Sequence, residues 1–268
     1  MKESFSLPVR LLILALIGGG LLGGITNFFL LANVWPWAMP PLAHRFLAAA
    51  ALSIFLSSLL TWLHSRPVEV EFILVNVLAY AFPLLLATFL DFTLVDLTSP
   101  VAWFYFALVS AAVIICLLYF GQKRGGQPGE QVLQARTRTF LLILGLLSGA
   151  VGLLVFAAPK QAGFVWPWAA LAAWKPLDSR LIASMLIMIA VGAFWARWRN
   201  DRGVWQLTAV ILCTYCVVVG ISLALHAAAA PDFLVPDVTY IIIFVILILT
   251  SITLYRQETT WARAHHDE

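Results

Sequence analysis

The chain is 268 residues long, 62% hydrophobic and 11% charged, with a mean hydropathy of +0.96 and a net charge of +3. A soluble domain is about 45–50% apolar and about 25% charged, so these proportions exclude a single soluble core, a disordered or coiled-coil chain, and a disulfide scaffold, for which three cysteines are too few and odd in number. The positive charges are spread over loops and form no basic stripe, which excludes a nucleic-acid module and leaves the lipid bilayer as the principal partner.

A helix needs about 20 apolar residues to cross about 30 Å of hydrocarbon. Cutting the chain at its charge and Pro/Gly clusters predicts eight such spans, near 11–32, 46–63, 71–93, 101–120, 139–158, 181–197, 205–226 and 238–255. The runs are continuously apolar and too long for strands, so the expected fold is an all-α polytopic bundle and not a barrel. The first span follows Lys2 and Arg10, as a signal peptide would, yet it is long and lacks a small-x-small cleavage site, so it is expected to be retained. Its Gly19/Gly23 and Gly20/Gly24 pairs have the spacing of close helix contact. Pro83 is expected to kink the third span. Cys213-x-x-Cys216 in the seventh reads as packing, because no partner ligands stand near it.

Lysine and arginine set the orientation, since cytoplasmic loops carry the positive excess. With the N-terminus inside, twelve fall on inner segments (Lys2, Arg10, Arg66, Lys123, Arg124, Arg136, Arg138, Arg197, Arg199, Arg202, Arg256 and Arg263). Only Arg45, Lys160, Lys175 and Arg180 fall outside. The prediction is N-in and C-in, in a bacterial-type plasma membrane. The tryptophans agree: Trp35, Trp37, Trp103, Trp166 and Trp168 cluster at outer span ends, and Trp62, Trp195, Trp198 and Trp205 at inner ones.

The second half repeats the first. Leu11–Gly18 matches Leu141–Ser148, Val34-Trp-Pro-Trp-Ala38 matches Val165-Trp-Pro-Trp-Ala169, Pro41-Leu-x-x-Arg45 matches Pro176-Leu-x-x-Arg180, and Asp96-x-x-x-Pro100 matches Asp232-x-x-x-Pro236. Each unit has an even number of spans, so the halves share an orientation and are expected to be related by a pseudo-two-fold axis along the membrane normal. The expected organisation is a first four-helix repeat over 1–120, a cytoplasmic linker over 121–138, a second repeat over 139–256 and a cytoplasmic tail over 257–268. Inner loops show little correspondence beyond being basic.

The duplicated landmarks lie at the outer face, which makes Trp35, Trp37, Trp166, Trp168, Arg45, Arg180, Asp96 and Asp232 the candidate ligand-binding residues. Pro36 and Pro167 forbid helix continuation, so each Trp-Pro-Trp is a rigid turn flanked by two indoles, either an interfacial anchor or an aromatic wall for a ligand. Arg45 and Arg180 stand at the starts of spans, where the helix dipole disfavours a cation. A specific partner is therefore expected: Asp96 and Asp232 in two loop-fastening bridges, or an anionic headgroup or carboxylate held between the two arginines. His44 and His226 fall near outer span ends, but neither has a repeat-related histidine, and no haem, metal or other cofactor is expected. Asn76, Tyr80, Thr214 and Tyr215 are the polar residues nearest mid-span and the candidate lining of a cavity. No Asp, Glu, Lys or Arg occupies a span centre, which disfavours carboxylate-coupled antiport. No catalytic motif is present, so no catalytic residue is assigned.

The pattern Trp-Pro-Trp followed by Pro-Leu-x-x-Arg at the head of an apolar span, occurring twice, resembles a motif in uncharacterised bacterial multi-span membrane proteins. The resemblance covers mainly 34–62 and 165–197 and implies a shared architecture with no activity. Those proteins often carry Thr between the motif and the arginine, where this chain has Ala38-Met39-Pro40 and an extended Ala169–Lys175. The expected role is non-enzymatic: binding or facilitating passage of a small solute or lipid at the outer face. The alternatives are an accessory or assembly subunit of a larger membrane complex and, third, a lipid-headgroup enzyme acting through outer carboxylates.

Overall fold

A computed structural model describes residues 5–31, 35–122, 132–171 and 173–264. Lys2, Val34, Lys123, Arg124, Gly125, Gly126, Gly129, His265 and His266 lie outside the described residues. Among those described, the chain forms eight helices long and apolar enough to cross a membrane: α1 (Leu7–Phe29), α2 (Pro41–His64), α3 (Pro67–Leu90), α4 (Pro100–Gly121), α5 (Ala135–Ala157), α6 (Pro176–Arg199), α7 (Arg202–Ala229) and α8 (Leu234–Ala264). It is an all-helical integral membrane protein.

Several helices start earlier than the hydropathy cuts place them. Pro41, Pro67, Pro100 and Pro176 each open a helix, because the first helical residue needs no amide hydrogen and proline presets its φ. Charges that bound a hydrophobic run therefore lie inside the first turns. Likewise 135–138 belong to α5, and the expected tail from 257 continues α8 to Ala264.

Helices α2, α3, α6 and α7 form the centre. Each carries one outer neighbour: α1 lies on α2, α4 on α3, α5 on α6 and α8 on α7. The central helices meet mainly as α2 with α7 and α3 with α6. Exchanging α1–α4 for α5–α8 maps each of these pairings onto another. The close approach of α1 to α2 uses one of the two glycine pairs: a Cβ on Gly20 would lie 2.8 Å from the Ala51 carbonyl oxygen and one on Gly24 2.6 Å from Leu52, whereas Gly19 and Gly23 face open space. In lipid, where apolar surface has no water to escape, such backbone approach is a main source of helix association.

The end of the bundle opposite the Trp-Pro-Trp loops is held by buried ion pairs. The turns joining α2 to α3 and α6 to α7 have the same build, with Ser65 at φ 57° and Asn200 at φ 53° closing the preceding helix. The next residues in each turn, Arg66 and Asp201, stand 135 positions apart and meet, Arg66 Nη2 donating to Asp201 Oδ2 at 3.0 Å. Arg66 also reaches Glu69 at 3.2 Å, and His64 Nδ1 lies 3.1 Å from the other Glu69 oxygen. Arg199 pairs with Glu71 and lies over the rings of Trp195 and Trp198, 5.2 and 5.0 Å from their centroids. These turns do correspond, contrary to the expectation for inner loops. Their correspondence is one of backbone, and the side chains are complementary instead of alike: where equivalent positions face each other, two like charges would repel, whereas Arg against Asp attract.

Candidate functional site

The site is built where both Trp-Pro-Trp loops close the bundle. Pro36 bends the first loop so that Trp35 and Trp37 turn inward onto Tyr105 of α4, with ring centroids 5.9 and 5.5 Å away. Trp37 is 4% exposed and packs with Leu84, Leu177 and Leu181, over the junction of α3 and α6. The indole of Trp35 donates to Asn27 Oδ1 at 2.8 Å, and His44 Nδ1 meets the same oxygen at 2.9 Å. Asn27 spends its amide nitrogen on the Gly23 carbonyl at 2.7 Å, so its oxygen is an acceptor and His44 carries its proton on Nδ1. The Tyr105 hydroxyl is tied to Thr88 Oγ1 at 2.7 Å.

The second loop repeats this over the other junction. Trp166 and Trp168 lie 6.1 and 4.8 Å from Tyr240 of α8, which stands 135 positions after Tyr105. Both indoles also pack on Phe46 of α2 at 5.4 Å. Trp168 is fully buried and donates to Asp237 Oδ1 at 2.8 Å, while His226 Nδ1 donates to Asp237 Oδ2 at 2.7 Å. The Tyr240 hydroxyl donates to the Val165 carbonyl. Trp166 and Trp168, like Trp37, are interior plugs; an interfacial belt would leave them facing headgroups.

Neither arginine pairs with Asp96 or Asp232 among the described residues. Arg180 Nη1 reaches Asp91 Oδ2 at 2.5 Å, and its Nε donates to the Phe156 carbonyl at 3.1 Å. Arg45 has no such partner: its Nε is buried and makes no hydrogen bond among the described residues. Asp96 is exposed and bound locally, accepting from the Thr98 hydroxyl at 2.6 Å and the Thr98 amide at 3.0 Å. Those bonds, the hydroxyl first, hold its carboxyl below the usual range. The cap of α4 is Ser99, whose hydroxyl accepts from the Val101 amide at 3.3 Å. Asp232 is exposed in a short 3-10 turn, Pro231–Phe233, ahead of α8. Among the described residues Asp96, Asp232 and Asp237 make separate contacts, whereas Asp91 lies close enough to the buried Asp178 of α6 for the two carboxylates to interact.

Of the four mid-span candidates, Asn76 alone borders the cavity between α3, α6 and α7, which encloses about 10 Å³ among Phe72, Asn76, Ile189, Gly192, Thr208, Ile211 and Leu212. That is room for about one water. A Cβ on Gly192 would lie 2.6 Å from Asn76 Oδ1, which shows how closely α6 approaches the amide. Tyr215 is buried, and Tyr80 and Thr214 are half-buried; none of them lines this cavity.

Sequence reasoning missed Asn27, Tyr105 and Tyr240; it counted Asp91 and Asp237 among the outer carboxylates but did not foresee their pairing with Arg180 and with Trp168 and His226. The tyrosines were recoverable, since both follow the repeated Asp-x-x-x-Pro element at nearly constant spacing. The Asp91 pairing was not, because it crosses from α6 to the end of α3. No family model, no curated protein and no solved structure matches the chain.

Proposed function

We propose that this integral membrane protein is a non-enzymatic ligand-binding protein that holds a small solute or lipid at its Trp-Pro-Trp end. We read that end as the outer face of a bacterial-type plasma membrane, and the two halves as parallel repeats. The lysine and arginine asymmetry supports the orientation. The shared helix bounds of α2 and α6, the matched aromatic clusters and the exchangeable helix pairings support the duplication.

The observation that carries the reading is Arg45, whose buried Nε has no acceptor and which, unlike Arg180, has no carboxylate partner among the described residues; Trp37 Nε1 and Trp166 Nε1 at the same end also lack acceptors, as do Arg10 Nε, Trp195 Nε1 and Trp205 Nε1 at the other. Native proteins pair almost all such groups, with protein, water or ligand, and leaving one unpaired costs about 1–3 kcal/mol. The water-sized central cavity supports binding at the end of the bundle over passage through it in this conformation. Native mass spectrometry of gently extracted protein tests the reading. A retained lipid or solute at defined stoichiometry supports it; a bare chain from every detergent and lipid mixture overturns it.

A second reading, an accessory subunit of a larger membrane complex, draws on the aromatic cluster at the same end of α3 and α4. There Phe89 and Phe92 stack at 6.3 Å, both lie near Phe106, and Phe89, Phe92, Trp103 and Phe104 are all exposed. The same spectra would then show a defined complex with other chains and no small molecule.

A further inference from the structure

The two halves differ at one equivalent pair of positions, and the difference leaves a cation without its counter-charge. Helix α6 packs along α3 so that Arg180 meets Asp91. Helix α2 packs along α7 in the corresponding way, and the positions 135 residues from Arg180 and Asp91 are Arg45 and His226. In this register, the position that holds the carboxylate in one copy holds an imidazole in the other. That imidazole is oriented by Asp237, which takes its Nδ1–H at 2.7 Å and leaves Nε2 without a partner among the described residues. Asp237 does not replace the missing acid: it accepts from Trp168 at 2.8 Å and from His226, and makes no bond to Arg45 among the described residues.

We propose that Arg45 and His226 form a binding site for an oxyanion, a phosphate or phosphate ester, occupying the place that the Asp91 carboxylate fills in the other half. This deepens the ligand-binding reading and rests on it. The guanidinium offers a planar fork suited to two oxygens of one phosphate. His226 can donate from Nε2 when it is protonated, with the buried Asp237 carboxylate as its counter-ion. An independent observation points the same way. Trp166, whose ring lies 5.4 Å from Phe46, the neighbour of Arg45 in the chain, keeps a buried Nε1–H with no acceptor. The unpaired Arg45 Nε is the donor that calls for an acceptor-rich ligand, and Trp166 supplies a second unpaired donor at the same end of the bundle. The Arg180 copy calls for none, because Asp91 and the Phe156 carbonyl already serve it.

The shared chemistry has two sources, a lipid headgroup and a free phosphate, and one experiment separates them. Thermal unfolding and native mass spectra would be recorded in a phosphate-free maltoside detergent and buffer, in the same detergent with phosphatidylglycerol, and in the same detergent with inorganic phosphate or glycerol 3-phosphate. Stabilisation by phosphatidylglycerol alone supports the headgroup, and stabilisation by the soluble phosphates supports the free anion. In either case Arg45→Gln weakens binding by roughly tenfold or more, the loss expected for one charge-assisted contact. Arg197→Gln, at the opposite end, leaves it unchanged. Asp91→Ala supplies a gain-of-site test that does not depend on the Arg45 variant folding: freeing Arg180 should raise the stoichiometry from one oxyanion to two. Wild-type protein that ignores every phosphate source, or Arg45→Gln that binds as wild type does, overturns the inference. A neutral molecule retained equally by wild type and Arg45→Gln overturns the oxyanion site while sparing the broader reading, and a chain that retains nothing removes both.

Discussion

Gly203 gives the sharpest test of how the halves are joined. It opens the second position of α7, and a Cβ there would lie 2.1 Å from Arg66 Nη1 and 2.6 Å from Glu69 Oε1. The Arg66 side chain is 43% exposed and can swing away, but Asp201 and Glu69 are 0% and 1% exposed and cannot follow it. Gly203→Ala therefore trades a backbone gain against two ionic contacts. Replacing glycine by alanine in a helix stabilises by about 0.5–1 kcal/mol, less in the first turn. Losing a hydrogen bond to a buried charged group costs about 1.5–3 kcal/mol, and some of that is recovered when the exposed guanidinium finds water. The net expectation is a loss of about 1–3 kcal/mol, read as a lower unfolding midpoint in detergent. Gly18→Ala, which meets open space, should be neutral or stabilising. The cost of Gly203→Ala should shrink in an Arg66→Ala background, since both changes remove the Arg66 contacts, but not vanish, because Glu69 Oε1 still crowds the added Cβ. A Gly203→Ala protein as stable as Gly18→Ala, or full additivity with Arg66→Ala, would refute the reasoning.

Asp91→Asn should destabilise by about 1–3 kcal/mol in thermal unfolding, because it removes the counter-charge of a mostly buried arginine and leaves it only neutral acceptors, the amide oxygen and the Phe156 carbonyl. Glu258→Ala should fray the start of α5, speeding amide exchange across 134–138, because the Glu258 carboxylate accepts from the Gln134 amide at 2.9 Å and the Thr137 hydroxyl at 2.6 Å. Asp96, whose carboxyl is held low by Thr98, contributes stability above its unfolded-state pKa that is lost as the pH falls through its folded one. Thr98→Ala should move that loss to higher pH, seen as a raised Asp96 carboxyl titration by NMR; an unchanged titration would show that the Thr98 bonds are not its cause.

Hydropathy made the eight helices legible, and the duplicated Trp-Pro-Trp and Pro-Leu-x-x-Arg elements located the end of the bundle where the chain is most specialised. What escaped the sequence has physical reasons. A tryptophan at a span end has the same signature whether it faces headgroups or turns inward, and only the packing of Trp37 under Tyr105 and of Trp168 against Asp237 distinguishes the two. Arg180 chose Asp91 over the repeated Asp96 because the register of α6 against α3 brings the end of α3 to its guanidinium. The Arg66–Asp201 contact was hidden for a deeper reason: at positions that face their own equivalents, attraction requires opposite residues, so this link falls where the matched sequences diverge.

An experimental density map of the protein in phosphatidylglycerol-containing nanodiscs tests the central claim most directly. The account predicts tetrahedral density between Arg45 and His226, with Arg180 closed on Asp91 and no such density beside it. Arg45 bonded to a protein carboxylate, or open to water with no bound oxyanion, would contradict it.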